Sequence, residues 1–135
     1  MSAFNGRLYV TGGHTSHSQL STVHWAPINA NGSVGAWSLD TPSLPGPRYG
    51  HGMTVQNHRL FVAGGNNGGV IQSTVFSAPI NTDGNVGAWA TTTPLPQAIW
   101  YPAMSSWNGR LYVAGGSNAD SLLQSAVYSA PINSD

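Results

Sequence analysis

Arg59-Leu60-Phe61-Val62-Ala63-Gly64-Gly65 is the stretch whose reading decides the fold. It stands 52 residues earlier as Arg7-Leu8-Tyr9-Val10-Thr11-Gly12-Gly13 and 51 residues later as Arg110-Leu111-Tyr112-Val113-Ala114-Gly115-Gly116. Self-similarity at a fixed period marks a repeat architecture and takes precedence over any element assigned locally. Working outward, Ala26-Pro27-Ile28-Asn29 returns at Ala78-Pro79-Ile80-Asn81 and at Ala130-Pro131-Ile132-Asn133, and Gly35-Ala36-Trp37 returns at Gly87-Ala88-Trp89. Met1, Met53 and Met104 open three units, 1–52, 53–103 and 104–135, so residues 1–135 read as one repetitive segment. The shorter second step reflects one residue lost between Trp89 and Pro96 relative to Trp37 through Pro45. An indel confined to a Thr/Pro-rich stretch marks a loop, and the constant blocks on either side mark structure.

Within a unit the elements read as short strands. Met53 to Gln56 (strand A), Arg59 to Ala63 (B), Ser73 to Ile80 (C) and Val86 to Thr91 (D) are β-branched or aromatic runs bounded by Gly, Asn or Pro. Asn5-Gly6, Asn57-His58 and Asn108-Gly109 sit between strands A and B, where a two-residue hairpin turn needs positive φ. Asn31-Gly32 and Asp83-Gly84 suit the turn between C and D. No window shows a 3.6-residue apolar period free of Gly or Pro, so the fold class is all-β. A unit of about 50 residues with four antiparallel strands is the pattern of a propeller blade, packed face to face with its neighbours around an axis. Burial on both faces accounts for adjacent apolar residues such as Leu8-Tyr9-Val10 and Val75-Phe76.

The sequence resembles the kelch repeat family. The resemblance rests on the double glycine after strand B, the strand-C aromatics Phe76 and Tyr128, the strand-D tryptophans Trp37 and Trp89, and Leu44-Pro45 leading to Arg48 and His51. It covers essentially the whole chain and implies a β-propeller of four-stranded antiparallel blades with a protein- or peptide-binding role. His24 replaces the strand-C aromatic in the first unit, and Ile99 and Pro102 replace Arg48 and His51 in the next connection.

Strands count as A-B-C-D, A-B-C-D, A-B-C, fewer than the roughly four to eight blades of closed propellers. One chain is therefore an incomplete ring, with an apolar blade face at each end and an open strand-C edge. Either the chain is a piece of a longer propeller or identical chains join head to tail. The expectation is a homo-oligomer, a dimer of about six blades ahead of a trimer of about nine. The closely similar repeats and the start at the repeat methionine suit an excised or engineered fragment, and recent natural amplification would look the same.

The 135 residues include four arginines, four aspartates and no lysine, glutamate or cysteine, for a net charge of zero. Without a basic footprint, nucleic acid and anionic membrane are excluded as expected partners. No apolar run approaches a membrane span and no signal peptide is visible, so a soluble chain is expected. The lack of cysteine rules out disulfides and thiolate chemistry while leaving the compartment open.

The B–C and D–A loops emerge on one side of a blade and collect the variable polar residues. Ligand-binding candidates on this face are Arg48, Tyr49, His51, Asn66, Asn67, Trp100, Tyr101 and Asp120. Arg48 suits an anionic or hydrogen-bonding group, with a cap on blade carbonyls as the structural reading. Tyr49, Trp100 and Tyr101 beside neutral Asn, Ser and Thr donors motivate a carbohydrate-binding alternative. His14 and His17 are the only pair with metal-like proximity, and two imidazoles fall short of the three or four ligands zinc takes, so no metal or cofactor is expected. His24 reads as a core substitute, and the arginines opening strand B as struts between blades. With no paired carboxylates, no thiol and no Gly-x-Ser-x-Gly elbow, enzymatic activity is not expected. Copper oxidases that some kelch-like propellers form use a cysteine this chain lacks.

Overall fold

The computed structural model describes residues 1–40 and 42–132; Asn133 and Asp135 lie outside the described residues. Every regular element among them is a strand: β1 (Ser2–Phe4), β2 (Arg7–His14), β3 (Gln19–Pro27), β4 (Ser38–Asp40), β5 (Gly52–Gln56), β6 (Arg59–Ala63), β7 (Asn66–Asn67), β8 (Val70–Ile71), β9 (Val75–Pro79), β10 (Ala90–Thr92), β11 (Ala103–Trp107), β12 (Arg110–Ala114) and β13 (Val127–Pro131). They form antiparallel sheets in the order β1-β2-β3-β4 (blade 1), β5-β6-β9-β10 (blade 2) and β11-β12-β13 (blade 3), with β7-β8 a small hairpin in the B–C loop of blade 2. The expected blade pattern and its all-β class are what the chain adopts.

The A–B hairpins close on two residues, with Phe4 opposite Arg7, Gln56 opposite Arg59 and Trp107 opposite Arg110. Both turn residues take positive φ, 45° and 71° at Asn5-Gly6, 49° and 58° at Asn57-His58, 47° and 71° at Asn108-Gly109. That conformation matches the strand twist, and Asn and Gly adopt it most readily.

Strand D begins later than expected. In blade 2 it is Ala90–Thr92 rather than Val86 to Thr91, and Val86 meets strand C in an isolated bridge to Ile80. Between that bridge and the pair Ala90–Ser77 the D side carries one extra residue, a bulge. Its cause is Pro79, whose carbonyl accepts the Gly87 N–H at 2.8 Å but which has no N–H to return. A Cβ on Gly87 would lie 2.8 Å from the Pro79 ring, and one on Gly35 2.7 Å from Pro27. The repeated Ala-Pro-Ile and Gly-Ala-Trp blocks are therefore two halves of one contact.

Blades pack face to face. Tyr9, Val23 and Leu44 of blade 1 meet Leu60, Val62, Phe76, Ile80 and Val86 of blade 2 in one core. Ala63 and Val75 of blade 2 meet Val113 of blade 3 in a second, with Leu95 and Met104 against it. Strand β5 lies between β1 and β11, the first strands of the three blades. There the Ser106 hydroxyl donates to the Val55 carbonyl and accepts from Thr54, both at 3.0 Å. His24, expected to replace a buried ring, is only half-buried. Its counterpart Phe76 is buried because blade 1 covers it, and among the described residues nothing covers that face of blade 1.

Of the strand-B arginines, expected as struts between blades, Arg7 is seen to bridge two blades. Arg7 lies 3.7 Å over the Trp25 ring and donates to the Asp83 carbonyl of blade 2, while Arg59 and Arg110 donate to Ser77 and Ser129 within their own blades. The Tyr9 hydroxyl adds a bond to the Gly84 carbonyl at 2.7 Å, and the Trp89 indole N–H reaches back to the Pro42 carbonyl at 3.1 Å.

Candidate functional site

The D–A connections build the loop face, and the double glycines explain how they fit. Arg48 N–H donates to Leu20 and its carbonyl accepts from Gly13, which fastens this residue to blade 1. One residue on, Tyr49 exchanges both backbone bonds with Asn66 of blade 2, at 3.2 and 2.8 Å. The next connection repeats the device: Ile99 pairs with Gln72 and Gly65 of blade 2, and Trp100 exchanges both bonds with Ser117 of blade 3. The middle double glycine, with a connection on each side, is thus pressed from both. A Cβ on Gly64 would lie 2.5 Å from the Ile99 carbonyl of the outgoing connection, and one on Gly65 2.8 Å from the Tyr49 carbonyl of the incoming one.

Two of the expected ligand residues are withdrawn into the framework. Arg48 is 2% exposed; its Nη1 donates to the Gly64 carbonyl at 3.2 Å and the Thr74 hydroxyl at 2.9 Å, and its guanidinium lies 4.9 Å from the Phe76 ring. It caps the Gly64 carbonyl, the contact of the structural reading, and lies buried beneath the loop face. Asn66 is buried and its Oδ1 accepts the Gly69 N–H at 2.8 Å, shaping the tight turn between β7 and β8. His51 sits between blades, its Nε2 2.9 Å from the Thr11 hydroxyl. Burial pushes its pKa down to about 4, helped by the positive amino terminus and Arg48.

The remaining candidates separate by position. Rings of His14, Tyr49, Trp100 and Tyr101 form a continuous row across the three blades. Centroid separations are 5.0 Å from His14 to Tyr49, 5.5 Å edge-on from Tyr49 to Trp100, and 4.5 Å stacked at 25° from Trp100 to Tyr101. Asn67 is half-buried at the β7–β8 turn, and Asp120 is exposed in a turn organised by Asn118, whose Oδ1 accepts the Asp120 and Leu122 N–H groups. His17 bonds Ser16 at 2.7 Å, and His14 is engaged with Tyr49, so the two histidines lie in different local settings. Among the described residues no cluster of three or more His, Asp, Glu or Cys side chains comes together.

Tyr101 holds φ at +54°, the left-handed region, while the residue is 61% exposed. The equivalent residue of the previous connection is Gly50, at φ +60°. An L-residue in this region costs about 1–2 kcal/mol, and strain of this kind concentrates at functional positions. Gly50 escaped the sequence reading. The Trp100 indole Nε1 lies directly against it, so any side chain there would displace the ring row. The available signal was its alignment with Tyr101 across the 51-residue step.

Residues 47–77, from the first D–A connection through strands β5, β6 and most of β9, match the family model for the Kelch motif. That stretch carries a kelch motif, and the strands on either side repeat its blade pattern. Beta-scruin of Limulus polyphemus is 25% identical over 139 residues, covering 93% of this chain and 14% of that protein. A solved structure, "Structure of YjhT", has the same fold, with a TM-score of 0.74 at 17% identity over 93% of this chain and 40% of its own. The chain therefore spans less than half the length of either. Kelch repeats form propeller scaffolds that typically bind proteins.

Proposed function

We propose that this kelch segment is a non-catalytic scaffold that joins head to tail with a second copy into a closed propeller and presents the ring's loop face to a protein partner. The observation that carries this reading is a contrast between equivalent positions. Ile80 and Val86 of blade 2 are 6% and 2% exposed under blade 1, whereas Ile28 and Val34 of blade 1 are 36% and 45% exposed. At the other end Val127 is 67% exposed, whereas Val75 at the same position of blade 2 is 5% exposed. The two uncovered faces are the halves of a junction that the chain already buries twice, so a second copy matches each of them. A heterologous contact of this kind forms a ring when its rotation closes, and two copies supply about six blades. The lack of lysine, glutamate and cysteine supports the non-catalytic part.

Native mass spectrometry of the 135-residue chain tests the assembly, with a dimer expected and a trimer as the other closed form; a folded monomer alone overturns it. Val127→Asp and Trp37→Arg should each weaken association, and mixing the two variants should restore one wild-type junction. Carbohydrate binding is a second reading, favoured by the strained, exposed Tyr101 stacked on Trp100. Sugar rings dock on such aromatic faces. A glycan array should show hits lost in Trp100→Ala; no hits above background would remove this reading.

A further inference from the structure

Three rings of the loop face come from separate segments and are brought into line by backbone pairing. Tyr49 exchanges main-chain bonds with Asn66, and Trp100 with Ser117, so each ring is held by the blade its connection enters. His14 ends β2 with its ring 5.0 Å from that of Tyr49, and Tyr49 lies 5.5 Å edge-on from Trp100. An amide stands at each end of this row. Gln19 is opposite His14 in the β2–β3 register, and Asn118 follows Ser117 in sequence.

Both amide oxygens are turned inward onto backbone donors. Gln19 Oε1 accepts the Gly68 N–H at 2.6 Å, and Asn118 Oδ1 accepts the Asp120 and Leu122 N–H groups at 3.1 and 2.9 Å. A backbone N–H pairs only with the oxygen of a side-chain amide, so these bonds fix which end each side chain presents. The nitrogens are left over: among the described residues neither has a partner, and both residues are partly exposed. The row is thus a run of rings flanked by donors, with the matching acceptors spent inside the fold. Such a surface selects a chain that brings acceptors without donors. Proline has no N–H, so a proline-rich segment offers carbonyls alone, and its polyproline II helix leaves them free of internal bonds. That fixed backbone also lowers the ordering cost of lying along an aromatic row. A sugar hydroxyl donates as well as accepts, and the amide oxygens that would receive it are occupied.

We propose that the ring row between Gln19 and Asn118 is a docking site for a proline-rich segment of a partner protein in the polyproline II conformation. The inference rests on the reading of the loop face as a protein-binding surface and names the partner's chemistry. Pyrrolidine rings pack against His14, Tyr49 and Trp100, while Gln19 Nε2 and Asn118 Nδ2 donate to carbonyls at either end. At about 3.1 Å per residue, about six residues reach across the two ring-to-ring steps and the flanking amides. Every group involved belongs to one chain, so the site stands whether or not copies assemble.

The test titrates fluorescein-labelled decaproline with the intact 135-residue chain and reads anisotropy. Saturable binding is expected, about tenfold tighter than for a Gly-Ser decapeptide, which is flexible and carries N–H donors. Gln19→Glu and Asn118→Asp keep the inward oxygens and their backbone bonds while exchanging each outward donor for an acceptor. Each should bind decaproline about three- to tenfold more weakly. Absence of saturable binding at millimolar decaproline, equal binding of the Gly-Ser peptide, or an affinity unchanged in both variants would each overturn the proposal. Cellohexaose is titrated in parallel, and saturation by it in place of decaproline would overturn the proposal in favour of the carbohydrate reading. Native masses of the same samples separate this inference from assembly: decaproline bound by a monomer leaves it standing, and a closed ring that ignores decaproline overturns it alone.

Discussion

Replacing Gly64 with alanine probes the close passage of two connections over one double glycine. Gly64 has φ +68°, so a Cβ there carries the left-handed cost of about 1–2 kcal/mol. The added carbon would also lie 2.5 Å from the Ile99 carbonyl oxygen, which must move away. That oxygen accepts the Gly65 N–H at 2.8 Å, and Gly65 and Ile99 are both buried. Losing this bond without replacement costs a further 1–3 kcal/mol or so, for a total of about 2–5 kcal/mol. Gly6→Ala is the control: its φ is +71° and nothing lies within 4 Å of the new carbon, so only the conformational cost of about 1–2 kcal/mol applies. Urea unfolding followed by tryptophan fluorescence, at one fixed protein concentration because association shifts apparent stability, measures both. Equal destabilisation by the two substitutions would refute the contact argument.

Three further outcomes follow from the same contacts. Tyr101→Gly should be more stable than Tyr101→Ala by about 1 kcal/mol, because both lack the ring and only glycine relieves φ +54°; equal melting would show that no strain is stored there. Trp89→Phe should lose about 0.5–1.5 kcal/mol with its bond to the Pro42 carbonyl, and Trp37→Phe, on the uncovered face, should lose less in urea titrations of unassembled chain. His51, with its folded pKa lowered to about 4, is neutral in the fold, so the unfolded chain takes up a proton first as pH falls below about 6.5. Stability should therefore be fully present above pH 6.5 and fall by on the order of 3 kcal/mol between about pH 6.5 and 4, and His51→Gln should flatten that part of the profile.

Much of the blade was legible because its rules are local. A two-residue Asn-Gly turn needs only its own φ values, and the start of β6 at Arg59 follows from the turn before it. The beginning of strand D was misplaced because its limit lies on another strand, where Pro79 withholds a donor. The loop face was legible as a surface, and its aromatic members do meet there. The fate of Arg48 was not, since its partners Gly64 and Thr74 belong to the next blade and are fixed by how the connection crosses it. Asn66 looked like a loop amide for the same reason: Tyr49 anchors its backbone from the connection below.

The sequence by itself determined the all-β class, the repeat period and the A–B hairpin register, because period and turn chemistry are properties of neighbouring residues. Only the tertiary structure decided which faces are covered and which polar side chains remain available. Val75 and Val127 are the same residue at the same blade position, 5% and 67% exposed. Nothing in a valine encodes that difference, since burial is set by what packs against it.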